Sequence, residues 1–180
     1  MLPAAAVVPL PYRLFKQCDP KWADAKMGGG GHTVCAVGCL MSSTAMALNR
    51  TPAPLPRCSA GHAAFVTVAR PERGILIGGQ ESTPGSLNAW LRTHDGYVSG
   101  TDDFEESAAE AISPSHIRWT NSSMHRSNDL AWSEVVSLVD SHAAVIVNVM
   151  HGEHFVLVVG YDKTIGGDTL FGERSSSCLH

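Results

Sequence analysis

A cysteine and a histidine, far apart in the chain, are of the types that together attack an acyl group. Cys39 lies in "GCLMSSTAMALN", where good helix formers follow Gly38 and predict a buried helix from about Cys39 to Leu48. Backbone N–H groups in the first turn of a helix carry partial positive charge, which favours a thiolate over a thiol. Cys39 is therefore a candidate nucleophile.

A thiol nucleophile needs a base and a site for the developing oxyanion. His154 opens the apolar segment "HFVLVVGYD", where its ring would be held in partly desolvated surroundings and could take the thiol proton. First-turn N–H groups with one side-chain amide could bind the oxyanion, and Gln17 is the candidate amide. On the residues alone, other interpretations stay open: Cys39 as a small buried hydrophobe, His154 as an ordinary surface or core histidine. The residue type of Gln17, taken by itself, does not indicate a function.

Three further segments have helical patterns. "STPGSLNAWLRTHDGY" predicts a helix over Pro84 to about Asp95, with Thr83 as its N-cap. "DFEESAAEAI" predicts a short exposed helix. "NDLAWSEVVSLVDSH" is the clearest amphipathic pattern, with Asn128 or Asp129 available as a cap.

Strand patterns occur near the end of the chain. "AAVIVNVM" and "HFVLVVGYD" are β-branched runs separated by "HGE", which predicts an antiparallel pair, and "DTLF" (Asp168 to Phe171) predicts a third strand. Helices followed by strands predict a segregated α+β fold.

Length and composition set the broad class. The chain has 180 residues, of which 44% are hydrophobic, enough for the core of one domain over 15–180. A net charge of −4 provides no basic surface for nucleic acid, and no apolar run reaches the roughly 20 residues of a membrane span. The proline-rich stretch at about 50–74 has no sustained period and indicates an insertion or long loop.

The N-terminal segment 1–14 has a short apolar run interrupted by prolines and no basic start. It is interpreted as a signal remnant only if a fuller signal exists, in which case the protein is secreted or lumenal; otherwise it is expected to be cytoplasmic. Five cysteines leave at least one thiol outside any intrachain pairing. Their spacing lacks the CxxC pairs of a zinc site, so no metal or other cofactor is expected.

Four motifs together resemble one family: "FKQCDPKWADAKMG", "VCAVGCLMSSTAMALN", "GSLNAWLRTHDGYV" and "NVMHGEHFVLVVGYD". They are similar, in order and from about Phe15 to Phe171, to the domains of cysteine peptidase family thirty-nine, which is related to bacteriocin-processing peptidases that cut double-glycine leaders. The resemblance implies a papain-like cysteine peptidase fold, with an N-terminal nucleophile helix packed on a C-terminal antiparallel sheet. It also implies a peptide or protein substrate.

Carried onto this sequence, the resemblance implies that Gln17 serves the oxyanion hole, Cys39 attacks the carbonyl and His154 moves the proton. The reaction would be peptide hydrolysis through a thioester. His151 is a rival base, but the family's histidine directly precedes an aromatic residue, as His154 does. Cys18 and Cys35 are candidates to pair in an oxidising compartment and to fix Gln17 relative to the nucleophile.

The chain departs from the family pattern after "DTLF". The family places an orienting Asp there, whereas this chain continues "GERSSSCLH" and diverges from 172 onward, with Arg174 near the expected acid. Glu173 or Asp168 could replace that acid. Two alternatives therefore stay open: a catalytically impaired pseudopeptidase that binds peptides, and a thiol acyltransferase or amidase on the same fold. The oligomeric state is not predicted.

Overall fold

The fold was determined as a computed structural model that describes residues 7–9, 12–49, 66–68, 74–119, 131–150, 153–162 and 169–173. Its elements, in chain order, are β1 (Val7–Pro9), α1 (Val34–Val37), α2 (Cys39–Leu48), β2 (Val66–Val68), β3 (Leu76–Ile77), β4 (Gln80–Glu81), α3 (Pro84–Leu91), a 3₁₀ helix (Glu106–Ile112), β5 (Ile117–Trp119), α4 (Trp132–Asp140), β6 (Ile146–Val149), β7 (His154–Asp162) and β8 (Thr169–Glu173).

The α+β class is confirmed by a small antiparallel sheet that is built around β7. β6 pairs with the first residues of β7, from Val149 opposite His154 to Ile146 opposite Leu157. β8 pairs with β7 across a register shift between Val158 and Gly160, and β1 pairs with 160–162. β2 with β5 and β3 with β4 form two further two-stranded sheets.

α2 has the bounds that the sequence predicts, Cys39 to Leu48. Its residues from Met41 onward are all buried, in keeping with a helix that is apolar nearly all round. Gly38 precedes it because a side chain has no room there: an added Cβ would lie 2.6 Å from the carbonyl oxygen of Val34.

α3 begins as predicted and ends early. Thr83 and Ser86 form a reciprocal capping box, and Pro84 occupies the first turn. The helix ends at Leu91, short of the predicted Asp95, because the N–H of Gly96 turns back to the carbonyl of Leu91 at 2.9 Å and Asp95 takes a left-handed φ of 52°.

The remaining elements were predicted in part. α4 begins at Trp132 after Ala131 with no side-chain cap, and the predicted caps Asn128 and Asp129 lie outside the described residues. The acidic segment forms the 3₁₀ helix, and β8 extends past Phe171 to Glu173.

The stretch 50–74, read as an insertion or long loop, contains a strand that the sequence did not indicate. β2 (Val66–Val68) pairs antiparallel with β5, about 50 residues further along the chain. Three residues are too few for a period-2 pattern to be visible, so the pairing comes from long-range structure.

α2 and α4 pack on opposite faces of β7. Leu157 clusters with Met46 and Ala47 of α2, whereas the next residue, Val158, clusters with Val135 and other residues of α4. Alternation of side chains along a strand explains this arrangement. No helix in the described ranges is long and apolar enough to cross a membrane.

Candidate active site

Cys39 is the first residue of α2 and is partly exposed. The thiol therefore lies at the positive end of a helix of ten residues, where the N–H groups of the first turn are not consumed by that helix's own hydrogen bonds. This is the environment that favours a thiolate.

The face of α2 that carries Cys39 is the face packed on the sheet. Ser43 lies four residues on, and Met46 and Ala47 lie seven and eight residues on, so all four share one side of the helix. The Ser43 hydroxyl donates a hydrogen bond to the carbonyl of Phe155 in β7 at 3.3 Å. Ser43 belongs to the same motif as Cys39, but its residue type alone suggested no role. Its spacing of four residues from Cys39 is the signal that could have identified it.

The two contacts between α2 and β7 fix where Cys39 lies along the strand. Ser43 contacts Phe155, and Met46 and Ala47 pack against Leu157. Along this contact, α2 and β7 therefore run in the same direction. One helical turn covers about 6 Å, as do two strand residues. A step of one turn back from Ser43 therefore brings Cys39 to the start of β7, where His154 lies.

His154 is buried, with 4% of its surface exposed. It is the first residue of β7 and pairs with Val149, the last residue of β6. Cys39 and His154 therefore lie at the same end of the contact between α2 and β7. By the alternation along β7, the His154 side chain shares the face of Val158, not the α2 face of Leu157. The rival His151 lies outside the described residues.

Gln17 is 1% exposed and is bound to α1. Its Nε2 donates to the carbonyls of Val34 and Cys35, both at 2.9 Å. A side-chain amide has two N–H hydrogens, so both are used here. The oxyanion role of Gln17 stays a prediction.

Cys18 and Cys35 form a disulfide with a Cα–Cα distance of 4.4 Å. The pairing that was a candidate from the sequence is thus present. It joins the residue after Gln17 to one of the residues whose carbonyl Gln17 binds.

The described part of β8 pairs with the later residues of β7. The ladder ends with Glu173 opposite Leu157, three residues along β7 from His154. Asp168 and Arg174 lie outside the described residues. Glu173 thus pairs with another position, and the orienting residue stays a prediction.

A second histidine, unremarked in the sequence, pairs with a buried acid near α1. The backbone N–H of His32 donates to Asp102 Oδ2 at 2.9 Å, and the ring Nδ1 lies 2.7 Å from the same oxygen. Burial raises the pKa of Asp102, but hydrogen bonds from His32 and Gly30 outweigh it and hold the pKa below its usual range. The partners are 70 residues apart, so no local pattern could reveal them.

In the parts of the chain that the structure describes, no group of three or more His, Cys, Asp or Glu side chains could hold a metal. A model of the peptidase C39-like family matches residues 10–171. Neither the curated proteins nor the solved structures contain a match to the chain.

Proposed function

The chain belongs to the peptidase C39-like family, and from this premise we propose that it is a cysteine peptidase of papain-like fold. In this proposal Cys39 is the nucleophile and His154 is the general base, and a peptide or protein is the substrate. The hydrogen bond from Ser43 to Phe155 carries the proposal, because it supports placing the start of α2 beside the start of β7.

The proposed reaction has two acyl-transfer steps. His154 takes the proton of Cys39, and the thiolate sulfur attacks the carbonyl carbon to form a tetrahedral oxyanion. His154 then returns the proton to the leaving amine as the C–N bond breaks, which leaves a thioester on Cys39. Water attacks the thioester, with His154 taking and returning a proton in the same way, and the acid product leaves.

The oxyanion would be held by N–H groups in the first turn of α2. Gln17 enters as a candidate second donor. To serve in this way, its amide would turn one N–H from the carbonyl of Val34 or Cys35 to the oxyanion when substrate binds.

One observation favours a second candidate, a peptide-binding domain without turnover. After "DTLF" the chain continues "GERSSSCLH", with Arg174 near the position where the family has its orienting Asp. Loss of the orienting acid costs a serine peptidase on the order of 10⁴ in kcat, which would leave binding as the main activity.

The test is cleavage of a mixed peptide library, analysed by mass spectrometry, with Cys39→Ser and His154→Ala as variants. We expect products from the wild-type chain, and a fall in rate of at least about 10³ in either variant. His94→Ala is the matched control, because His94 is an exposed histidine at the end of α3 and should leave the rate unchanged.

Other outcomes separate the alternatives. Peptides that bind without being cut would favour the peptide-binding domain. Transfer of the peptide acyl group to an added amine, in place of water, would favour an acyltransferase. Equal cleavage by wild type and Cys39→Ser would contradict a thiol mechanism altogether.

A further inference from the structure

The backbone that leads into Cys39 is held from outside by an earlier part of the chain. The N–H of Val34 donates to the carbonyl of Ala25 at 2.9 Å, and the N–H of Cys35 donates to that of Ala23 at 3.0 Å. Gln17 binds the carbonyls of the same two residues. Both polar backbone groups of Val34 and of Cys35 are thus bound to residues 17–25.

These contacts pass directly to the nucleophile helix. The N–H of Gly38 donates to the carbonyl of Val34 at 2.8 Å, and the N–H of Ser42 donates to the carbonyl of Gly38 at 2.8 Å. Val34 therefore links Gln17 to the turn immediately before Cys39. α1 has only four residues, too few to be stable without such external contacts.

The disulfide holds the same two segments covalently. Cys18 follows Gln17 in the chain, and Cys35 is itself one of the residues that Gln17 binds. Both cysteines are partly exposed, so a small reductant can reach them. We call Gln17, Cys18, Val34 and Cys35 the α1 clamp.

We propose that the α1 clamp positions Cys39 for attack, and that it does so only while the Cys18–Cys35 disulfide is intact. The inference rests on the proposed function in so far as Cys39 is the nucleophile. Gln17, Cys18 and Cys35 act here as positioning residues, through the turn at Gly38. Gln17 does so by the carbonyl contact that it keeps when its other N–H turns to the oxyanion.

The clamp gives the site two opposite redox requirements. Cys39 must be a thiol to react, whereas Cys18 and Cys35 must be a disulfide. A dithiol reductant transfers two electrons and two protons to the Cys18–Cys35 bond, giving two thiols, and itself becomes a disulfide. We therefore expect peptidase activity to rise and then fall as dithiothreitol is increased, because reduction first restores an oxidised Cys39 and then opens the clamp.

The direct test is the rate at which iodoacetamide alkylates Cys39, located by mass spectrometry across pH. The oxidised wild type is compared with a Cys18→Ser, Cys35→Ser double variant. We expect the double variant to react at least about tenfold more slowly at pH 7, with its pH midpoint moved up toward the ordinary thiol value of about 8.5. Equal rates and midpoints in the two proteins would overturn the proposal.

A control separates positioning from general loss of stability. Thr83→Ala removes the N-cap of α3. Helix α3 packs on α2 but is not part of the α1 clamp. Each protein is measured at the same temperature interval below its own unfolding midpoint. This variant should keep the wild-type pH midpoint. A Thr83→Ala midpoint that moves as far as that of the double variant would overturn positioning by the clamp.

A second arm does not depend on folding of the double variant. The wild type is reduced, freed of reductant by desalting and alkylated at once, and a parallel sample is reoxidised first. Slow alkylation of Cys39 in the reduced sample that recovers on reoxidation supports the clamp. Equal alkylation rates in the reduced and reoxidised samples overturn it.

The alkylation readout needs no substrate, so the two proposals fail differently. Clamp-dependent alkylation without any peptide cleavage would support the clamp and contradict hydrolysis. Cleavage at an equal rate by the wild type and the double variant would contradict the clamp and leave hydrolysis standing.

Discussion

The two sides of the candidate site are held in different ways. Cys39 is positioned by nearby sequence: the disulfide, the Gln17 amide and the turn at Gly38 all lie within residues 17–42. His154 is positioned by the register of β7 against β6, β1 and β8, which come from both ends of the chain. The cysteine side is thus preorganised locally, while the histidine side depends on the assembly of the whole sheet.

The departure from the family pattern lies on the histidine side of the site. The family has its orienting Asp after "DTLF", near Arg174, and the described part of β8 ends at Glu173, opposite Leu157. If no acid orients His154, we expect a Cys39 thiol that labels well but turns over slowly.

The largest expected effect comes from breaking the contact between the two sides. Leu157→Ala removes a fully buried side chain from the cluster with Met46 and Ala47, and we expect the free energy of unfolding to fall by about 2–5 kcal/mol. Urea denaturation measures this loss. Leu14→Ala is the matched control, since Leu14 is 48% exposed and its truncation should change little. Similar losses in the two variants would contradict the packing of α2 on β7.

A smaller effect is expected within the histidine side. Tyr161 donates a hydrogen bond to Asp140 Oδ1 at 2.6 Å and so ties β7 to the end of α4. Tyr161→Phe keeps the ring and removes the donor, so we expect a loss of about 1 kcal/mol in the free energy of unfolding. The Asp140→Ala variant combined with Tyr161→Phe completes a double-mutant cycle, and strictly additive losses would show that the bond contributes nothing.

The smallest effect concerns Asp102, which accepts a hydrogen bond from His32 near α1, and it depends on pH. Its pKa is lowered in the fold, so its charged form adds stability above the ordinary pKa of about 3.9, and that stability is lost as pH falls through the lower folded value. Asp102→Asn should therefore destabilise the protein at pH 7, and the difference should shrink under acid. Thermal unfolding across pH checks this, with the exposed neighbour Asp103→Asn as control. A difference that grows as pH falls would contradict the assignment.

The same contrast between local and long-range contacts explains what the sequence could predict. Both ends of α2 were predicted correctly, because apolar helix formers and Gly38 act locally. The helix after Thr83 was predicted four residues too long, because its end is set by how Gly96 packs on Leu91. β1 and β2 are three-residue strands whose partners lie far along the chain, so their own sequences carry no signal.

For the candidate site, the residue types indicated Cys39 and His154 only weakly, and the family resemblance selected them. The pairing of Cys18 with Cys35 was a candidate from the sequence, and the disulfide in the structure confirms it. The two carbonyls bound by Gln17 could not be foreseen, since they depend on how α1 folds against residue 17.

The pH dependence of Cys39 alkylation, in wild type and His154→Ala, tests the central claim most directly. If His154 activates Cys39, the wild type should label near neutral pH, and the variant only as pH approaches about 8.5, with His94→Ala behaving like the wild type. The same midpoint in wild type and His154→Ala would contradict the pairing of Cys39 with His154.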